Sequence, residues 1–175
     1  MFPLVTSRLN LTQITEQEWP FFLRLQQDPD VMRYVSDERR EAEVRQIFNS
    51  RLVRWETHSR HWLCLVMRDR HNGTPIGFTG FVRGDEDMAE VGFILDPEFH
   101  AQGYGYESLH AVCKFAFEKC AIRKLTATVT VGNIGSKKVL EKAGFQSEGV
   151  LRENYFLAGT WQDDWIFGLL RSEFR

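Results

Sequence analysis

The chain has few cysteines, and its cysteines and histidines lack the spacings that mark metal and redox sites. Its 175 residues include three cysteines, Cys64, Cys113 and Cys120, with no CxxC pair, so neither a disulfide framework nor a zinc ribbon is indicated. The five histidines show no HExxH spacing, which argues against a metalloprotease helix. We therefore predict buried free thiols and no metal.

Long apolar runs and a strong charge excess are also lacking. No stretch reaches the roughly 18 apolar residues of a membrane span, and "MFPLVTSRLNLTQIT" does not resemble a secretory signal. With 22 basic and 24 acidic residues the net charge is −2, which does not favour a nucleic acid or an anionic membrane as partner. Because no linker, repeat or low-complexity tract divides the chain, we expect one domain over residues 1–175 in a cytoplasmic protein.

Hydrophobic periodicity in the first half predicts a strand, helices and then three strands. "SRLNLTQI" alternates as a strand, Thr15 and Glu18 form a potential capping box before a helix near Trp19, and Asp28 with Pro29 begins another helix. A third helix has an apolar stripe of Val44, Ile47, Phe48, Leu52 and Trp55. "HWLCLVMRD", "PIGFTGFVR" and "AEVGFILD" then form an antiparallel meander, with a type I′ turn predicted at Asn72-Gly73.

The second half alternates helix and strand. Its first helix has apolar residues at helical spacing: Leu109, Val112, Cys113, Ala116 and Phe117. The strand "KLTATVTV" follows, then a helix capped by Asn133 and ended by Gly144, and two strands around an Ala-Gly loop. This order predicts an α+β fold with a mixed, mainly antiparallel twisted sheet.

Two glycines separate the strand "AEVGFILD" from the following helix. Gly103 and Gly105 free the backbone for positive φ and expose amides at a helix start, where an anionic group such as a diphosphate binds well. A plain turn is the alternative. The P-loop sequence and the third glycine of the Rossmann fingerprint are both absent, so another phosphate-bearing ligand is indicated.

The segment "VGFILDPEFHAQGYGYESLHAVCKFAF" resembles the acyl-coenzyme A binding motif of the GNAT N-acetyltransferases, in which Gln or Arg precedes Gly-x-Gly or Gly-x-Ala by three positions. "NIGSKKVLEKAGFQSEGVLRENYF" is similar to the family's next segment. That second segment, "SRLNLTQI" and "DPDVMRYV" look most like the branch that acetylates ribosomal-protein N-termini. The first motif position is His100 here, a departure that reduces what its side chain contributes to phosphate binding.

The resemblance implies a GNAT fold with helices on both sheet faces, a splayed strand pair and acetyl-CoA as cofactor. The positions it implies for acetyl-CoA are Phe93, Ile94, Leu95, His100, Gln102, Gly103, Tyr104, Gly105, Tyr106, Asn133 and Ser136. By similarity, Ser136 would protonate the departing thiolate and Glu90 would deprotonate the amine through water. The alternatives are that Asn133 only caps its helix, Ser136 only fills a first turn, and Glu90 is a solvated strand-end residue.

The last hairpin borders the acceptor site in this family. Tyr155, Trp161 and Asp163, with the neighbouring Asp164 and Trp165, would hold an amine there, although surface and core roles are open to the same residues. The implied function is direct acetyl transfer to a primary amine, first a protein N-terminus. A small amine or polyamine acceptor, or a noncatalytic acyl-CoA-binding module, are the alternatives, and dimers in the family leave a homodimer open.

Overall fold

The computed structural model describes residues 1–175, which form one eight-stranded sheet with five helices. The strands are β1 Leu4–Val5, β2 Leu9–Gln13, β3 Leu63–Asp69, β4 Pro75–Arg83, β5 Met88–Leu95, β6 Lys124–Thr130, β7 Gln146–Leu157 and β8 Thr160–Leu170. The helices are α1 Trp19–Gln26, α2 Pro29–Met32, α3 Glu41–Leu52, α4 Tyr104–Lys119 and α5 Ile134–Lys142. No helix has the length and apolar character that crossing a membrane requires.

The sheet opens in its middle. Its order is β1-β2-β3-β4-β5-β6-β8-β7, and every neighbouring pair is antiparallel except β5 and β6. These two parallel strands pair only from Met88 opposite Lys124 to Glu90 opposite Thr126. Beyond that point β5 pairs with β4 alone and β6 with β8 alone. A V-shaped opening therefore separates them, and the predicted α+β fold with a splayed strand pair is confirmed.

Apolar clusters cover both faces of the sheet. The larger cluster packs α4 against the strands through residues such as Leu109, Val112 and Leu125. The smaller cluster packs α1 and α3 against the other face through Phe22 and Phe48. Helices therefore lie on both faces, as the sequence predicts.

Local capping signals place the first helices as expected. The side chain and backbone of Thr15 form the predicted capping box with Glu18, and α1 begins at Trp19 with Pro20 in its first turn. Asp28 accepts hydrogen bonds from the amides of Asp30 and Val31 at the start of α2. Polar side chains that bind free amides thus fix where these helices begin.

Two local predictions are wrong. Asn72 has no positive φ, so Asn72-Gly73 is not a type I′ turn; the Asp69 carboxylate instead accepts the amides of His71 and Asn72 and supports a wider loop. Trp55 follows the end of α3 and packs edge-on against Phe81 at 5.6 Å, in the larger cluster on the opposite face. In both cases side-chain contacts outweigh the local sequence signal.

The three cysteines are buried and free, as predicted. Burial raises the pKa of the Cys64 and Cys120 thiols to about 11 and that of Cys113 to about 12. At neutral pH these thiols are protonated, which makes them poor nucleophiles.

Candidate active site

One cavity of about 1210 Å³ passes through the V between β5 and β6. Successive residues of β5 point to opposite faces of the sheet, so the strand contributes to both sides of this cavity. We call the side lined by the starts of α4 and α5 the α4 half. The side lined by α1, α3 and the loop of residues 33–40 is the α1–α3 half.

The start of α4 provides the anion cradle of the α4 half. Gly103 caps the helix in the left-handed conformation with φ 85°, which glycine adopts without steric cost. The helical ladder begins where the Glu107 amide donates to the Gly103 carbonyl at 3.0 Å. The amides of residues 102–106 precede that bond and carry the positive end of a 16-residue helix.

The N-terminal segment holds this cradle in place. Arg8 Nε lies 2.7 Å from the Glu107 carboxylate, and Arg8 Nη1 donates to the Gln102 carbonyl at 3.0 Å. The Arg8 guanidinium also stacks 4.1 Å from the Tyr104 ring centre. Burial opposes ionisation of Glu107, but hydrogen bonds from Thr6 and Arg8 outweigh it and lower the pKa of Glu107.

Basic side chains surround the same cradle. Lys138 and Lys142 of α5 line the cavity, and Lys142 Nζ lies 4.4 Å from the Tyr106 ring centre. His100 also lines it, with Nε2 at 3.1 Å from the Leu95 carbonyl oxygen. Free amides and ammonium groups together suit a diphosphate.

Not every residue of the glycine motif faces the cavity in the expected way. The Gln102 side chain donates to the Glu98 carbonyl and does not line the cavity. A Cβ on Gly105 would lie 3.4 Å from Val139 and 3.8 Å from Leu95. Gly105 therefore allows α4 to approach α5 and β5 closely, and its φ is not positive.

The edge of β5 that faces the V is open. Phe93, Ile94 and Leu95 line the cavity and pair only with β4. Their backbone groups on the V side lie where an extended amide-containing chain can add to a strand. The pantetheine arm of acetyl-CoA is such a chain, so the residues present suit this ligand.

The start of α5 lies beside the opening. The Asn133 side chain caps α5 by accepting the Ser136 amide at 3.2 Å, and both residues line the cavity. Capping uses the Asn133 oxygen and leaves its amide nitrogen available. The half-buried Ser136 hydroxyl makes no hydrogen bond to protein, so it is available to a ligand.

Glu90 occupies the apex of the V, as the last β5 residue paired with β6. Its side chain keeps an exposed surface, but it lines the cavity, where surrounding protein atoms displace part of its solvent. This desolvation raises the pKa of Glu90. A carboxylate without a cationic partner and with a raised pKa has the properties of a general base.

The last hairpin contributes Tyr155 and Asp164 to the cavity, and both are among the five residues predicted to hold an amine. Tyr155 lines the cavity and donates its hydroxyl to the Val35 carbonyl at 2.6 Å. Trp161 is 59% exposed outside the cavity, and Asp163 accepts the Glu153 amide there instead. Asp164 is the buried carboxylate that lines the cavity, held by hydrogen bonds from Thr130 and Asn154.

The alternation of side chains along β8 indicates which of Asp163 and Asp164 faces the cavity. Phe167 and Leu169 belong to the larger cluster and Trp165 packs against it, so Asp163 shares their parity and Asp164 has the opposite one. The cavity also has lining residues from segments distant in the chain that the sequence did not indicate, among them Tyr34, Arg51 and Trp62. No local pattern indicates that these three approach the V.

The arrangement combines an anion cradle, an open strand edge and a desolvated carboxylate in one cavity. The α4 half can hold a phosphorylated, amide-containing chain, and the apex brings the end of that chain near Glu90. The α1–α3 half admits a second molecule from the other face. Such a site suits transfer of a group between two bound molecules.

Comparison with known proteins agrees with this geometry. A family model described as Acetyltransferase (GNAT) domain matches residues 8–146. The uncharacterized N-acetyltransferase YoaA of Bacillus subtilis is 30% identical over 182 residues, covering 98% of both chains. The probable N-acetyltransferase YjcK of the same organism is 33% identical over 105 residues, 60% of this chain and 58% of YjcK.

Solved structures share the fold. Spermidine N-acetyltransferase from Vibrio cholerae, in complex with CoA and spermine, superimposes with a TM-score of 0.83 at 23% identity, over 96% of this chain and 98% of that one. A putative ribosomal-protein-serine acetyltransferase from Vibrio cholerae gives 0.78 at 24% identity, over 97% and 99%. From the family match and the splayed sheet, the chain belongs to the GNAT family of N-acetyltransferases.

Proposed function

We propose that the protein transfers the acetyl group of acetyl-CoA directly to a primary amine within a ternary complex. The observation that carries this proposal is the shared cavity. Its α4 half has the cradle at Gly103 and the open edge of β5, and Glu90 stands at the apex between the halves. Acetyl donor and amine acceptor would enter from opposite faces and meet there.

The residues divide the proton transfers between them. Glu90 takes a proton from the acceptor ammonium through water, so that the neutral nitrogen attacks the thioester carbonyl carbon. The C–N bond forms and the C–S bond breaks; the nitrogen then gives its second proton to the Ser136 oxygen as the Ser136 hydroxyl proton passes to the departing thiolate, so that Ser136 ends unchanged and free thiol is released. Asn133 holds the pantetheine arm with the amide nitrogen that capping leaves available.

The acceptor is the finer part of the proposal. The resemblance of "SRLNLTQI", which contains β2, and of the α2 segment to the ribosomal-protein branch favours a protein N-terminal amine as acceptor. The two Vibrio cholerae structures support neither this acceptor nor a polyamine, because identities of 23% and 24% carry the fold alone. A small amine or polyamine is therefore the second candidate.

Calorimetric titration with acetyl-CoA, dephospho-CoA and NAD tests the cosubstrate. We expect both coenzyme A ligands to bind and NAD not to bind. Thiol release from acetyl-CoA is then measured with N-terminal peptides and small amines. Binding without thiol release from any acceptor would indicate a noncatalytic acyl-CoA-binding protein, and no binding at all would contradict the proposal.

A further inference from the structure

We propose that the acceptor carries a carboxylate as well as its amine, and that Arg51 binds this carboxylate in the α1–α3 half of the cavity. The inference rests on the proposed function and names the acceptor class. It separates amino acids and peptides with a nearby carboxylate from polyamines, which carry positive charge alone.

Arg51 is a cavity-lining cation without an anionic partner. Its Nε is buried and has no hydrogen-bond partner in the protein, and the residue makes no salt bridge. The guanidinium stacks 5.4 Å from the Trp62 ring centre and 6.0 Å from that of Phe22, beside Cys64. Aromatic rings hold the group in place but do not satisfy its donors, which suit a carboxylate in geometry and charge.

Arg51 and Glu90 belong to the same half of the cavity. Gly92 follows Glu90 by two positions in β5, so both residues point to the same sheet face. The Trp62 ring lies 3.4 Å from where a Cβ on Gly92 would be, and Arg51 stacks on that ring. The Trp62 indole thus lies between the Arg51 guanidinium and the part of β5 that carries Glu90, on the face where the acceptor would enter.

Two further arginines of this half also lack a carboxylate. Arg39 donates to the Gln26 side chain at 3.1 Å, and Arg33 lies 5.3 Å from the Tyr34 ring centre. Nine arginines outside the cavity form salt bridges, but none of the three that line it does. Unbalanced positive charge repels a polycation and attracts an anion.

The carboxylates that line this half make no salt bridge with Arg51. Glu90 and Asp164 lie on the strands at the V, and Asp30 lies on α2. Carboxylates by the point of transfer attract the acceptor ammonium, while the guanidinium on α3 attracts its carboxylate. The half is therefore bipolar, and a zwitterionic acceptor matches both ends.

Acetylation of matched acceptors tests this assignment. Methionine, glycyl-methionine and their C-terminal amides differ in the carboxylate alone, and spermidine represents the polyamines. Thiol release from acetyl-CoA gives kcat/KM for each. We expect at least one acid to exceed its amide by about tenfold or more, as a charge-assisted hydrogen bond allows, and spermidine to rank below it.

Variants locate the effect. Arg51→Gln should raise KM for the preferred acid and remove the advantage in kcat/KM of that acid over its amide, while kcat/KM for the amide changes little. Arg51→Lys should keep part of this advantage. Arg45→Gln is the control, because Arg45 lies on the same helix but pairs with Glu16 outside the cavity. Thermal unfolding and acetyl-CoA affinity show that each variant is folded, and Arg51→Lys alone serves as the test if Arg51→Gln does not fold.

The outcomes separate this inference from the proposed function. Amides or spermidine that react as well as the acids, or no acid that reacts, would overturn the carboxylate assignment while acetyl transfer stands. An acid preference that is unchanged in Arg51→Gln, or in Arg51→Lys if the former does not fold, would also overturn it. Failure to bind acetyl-CoA would instead overturn the proposed function and this inference with it.

Discussion

Glu90 combines a position at the apex of the V with a desolvated carboxylate. We expect Glu90→Gln to lower kcat/KM by about 100-fold or more, the usual size of a general-base contribution. The wild type should lose activity as pH falls through the raised pKa, above the ordinary value of 4.5. This acidic limb should be absent from the pH profile of Glu90→Gln, and an unchanged limb would remove Glu90 as the base.

The same substitution should affect stability in the opposite direction. Because burial raises the folded-state pKa of Glu90, the folded protein binds a proton more tightly than the unfolded chain. Ionised Glu90 therefore disfavours folding at neutral pH, and the cost disappears as pH falls below the unfolded pKa. Thermal unfolding should show a higher Tm for Glu90→Gln at pH 7 and an equal Tm near pH 4.

Ser136 presents a free hydroxyl at the cavity while its amide is used in capping. Ser136→Ala keeps the amide, so we expect acetyl-CoA affinity to be unchanged and kcat to fall by about tenfold, since a weak hydroxyl donor contributes at the low end of acid catalysis. Calorimetry and thiol release measure the two effects. A variant with full activity would leave Ser136 with a structural role.

Residue roles could be predicted only where the chain itself brings the groups together. The starts of α4 and α5 carry the glycine motif and the pair Asn133 and Ser136. Except for Gln102 of the glycine motif, these residues line the cavity. Loop composition indicated Asp163 and Asp164 together, and strand parity separates them, since only Asp164 lines the cavity. Arg51 could not be found, because its proposed role depends on a contact with Trp62 that no local pattern encodes.

At the scale of elements, the link between β5 and α4 decides how the cradle is formed. Gly103→Ala places a Cβ on a residue with φ 85°, 3.2 Å from Arg8, and should cost about 1–2 kcal/mol of stability. Because this strain shifts the first amides of α4, acetyl-CoA affinity should fall as well, by about tenfold. Calorimetry and chemical denaturation measure both quantities.

Gly159→Ala is the matched control for this change. Gly159 also has a positive φ, 80°, but lies at the tip of the last hairpin with nothing near its Cβ position. Its replacement should cost similar stability and leave acetyl-CoA binding unchanged. Equal affinity losses in both variants would show that backbone strain, and not the cradle, controls binding.

Element boundaries follow from the sequence where a side chain caps the backbone. Asp28 and Asn133 begin their helices as predicted. The turn at Asn72-Gly73 was mispredicted because Asp69 supplies its own hydrogen bonds to the loop, and the left-handed dipeptide is Ala158-Gly159 instead. Dipeptide preference therefore yields to a nearby acceptor group.

At the scale of the whole molecule, the splayed sheet predicts which backbone amides a bound cosubstrate protects from hydrogen exchange. Amides of β5 beyond Glu90 that face the V have no strand partner. Acetyl-CoA should slow their hydrogen exchange, because its amides would bond to them, and should leave the edge strand β7 unchanged. Exchange mass spectrometry with and without acetyl-CoA measures this, and equal slowing in both strands would contradict binding along β5.

The overall fold was predictable because each element carries its own period and the family resemblance supplies their order. The depth of the V was not predictable from periodicity, since β5 and β6 both continue as regular strands past their last shared pair. The pairing of each strand with its other neighbour keeps the two apart. Only the resemblance indicated the splay.

The opening also gives one sheet four exposed edges where an ordinary sheet has two. Of the two outer edges, β1 has only two residues, and β7 pairs with β8 through two register irregularities that interrupt its regular ladder. The inner edge at Phe93–Leu95 is regular and apolar. A ligand that fills the V therefore also covers a regular strand edge to which a foreign segment could add as a strand.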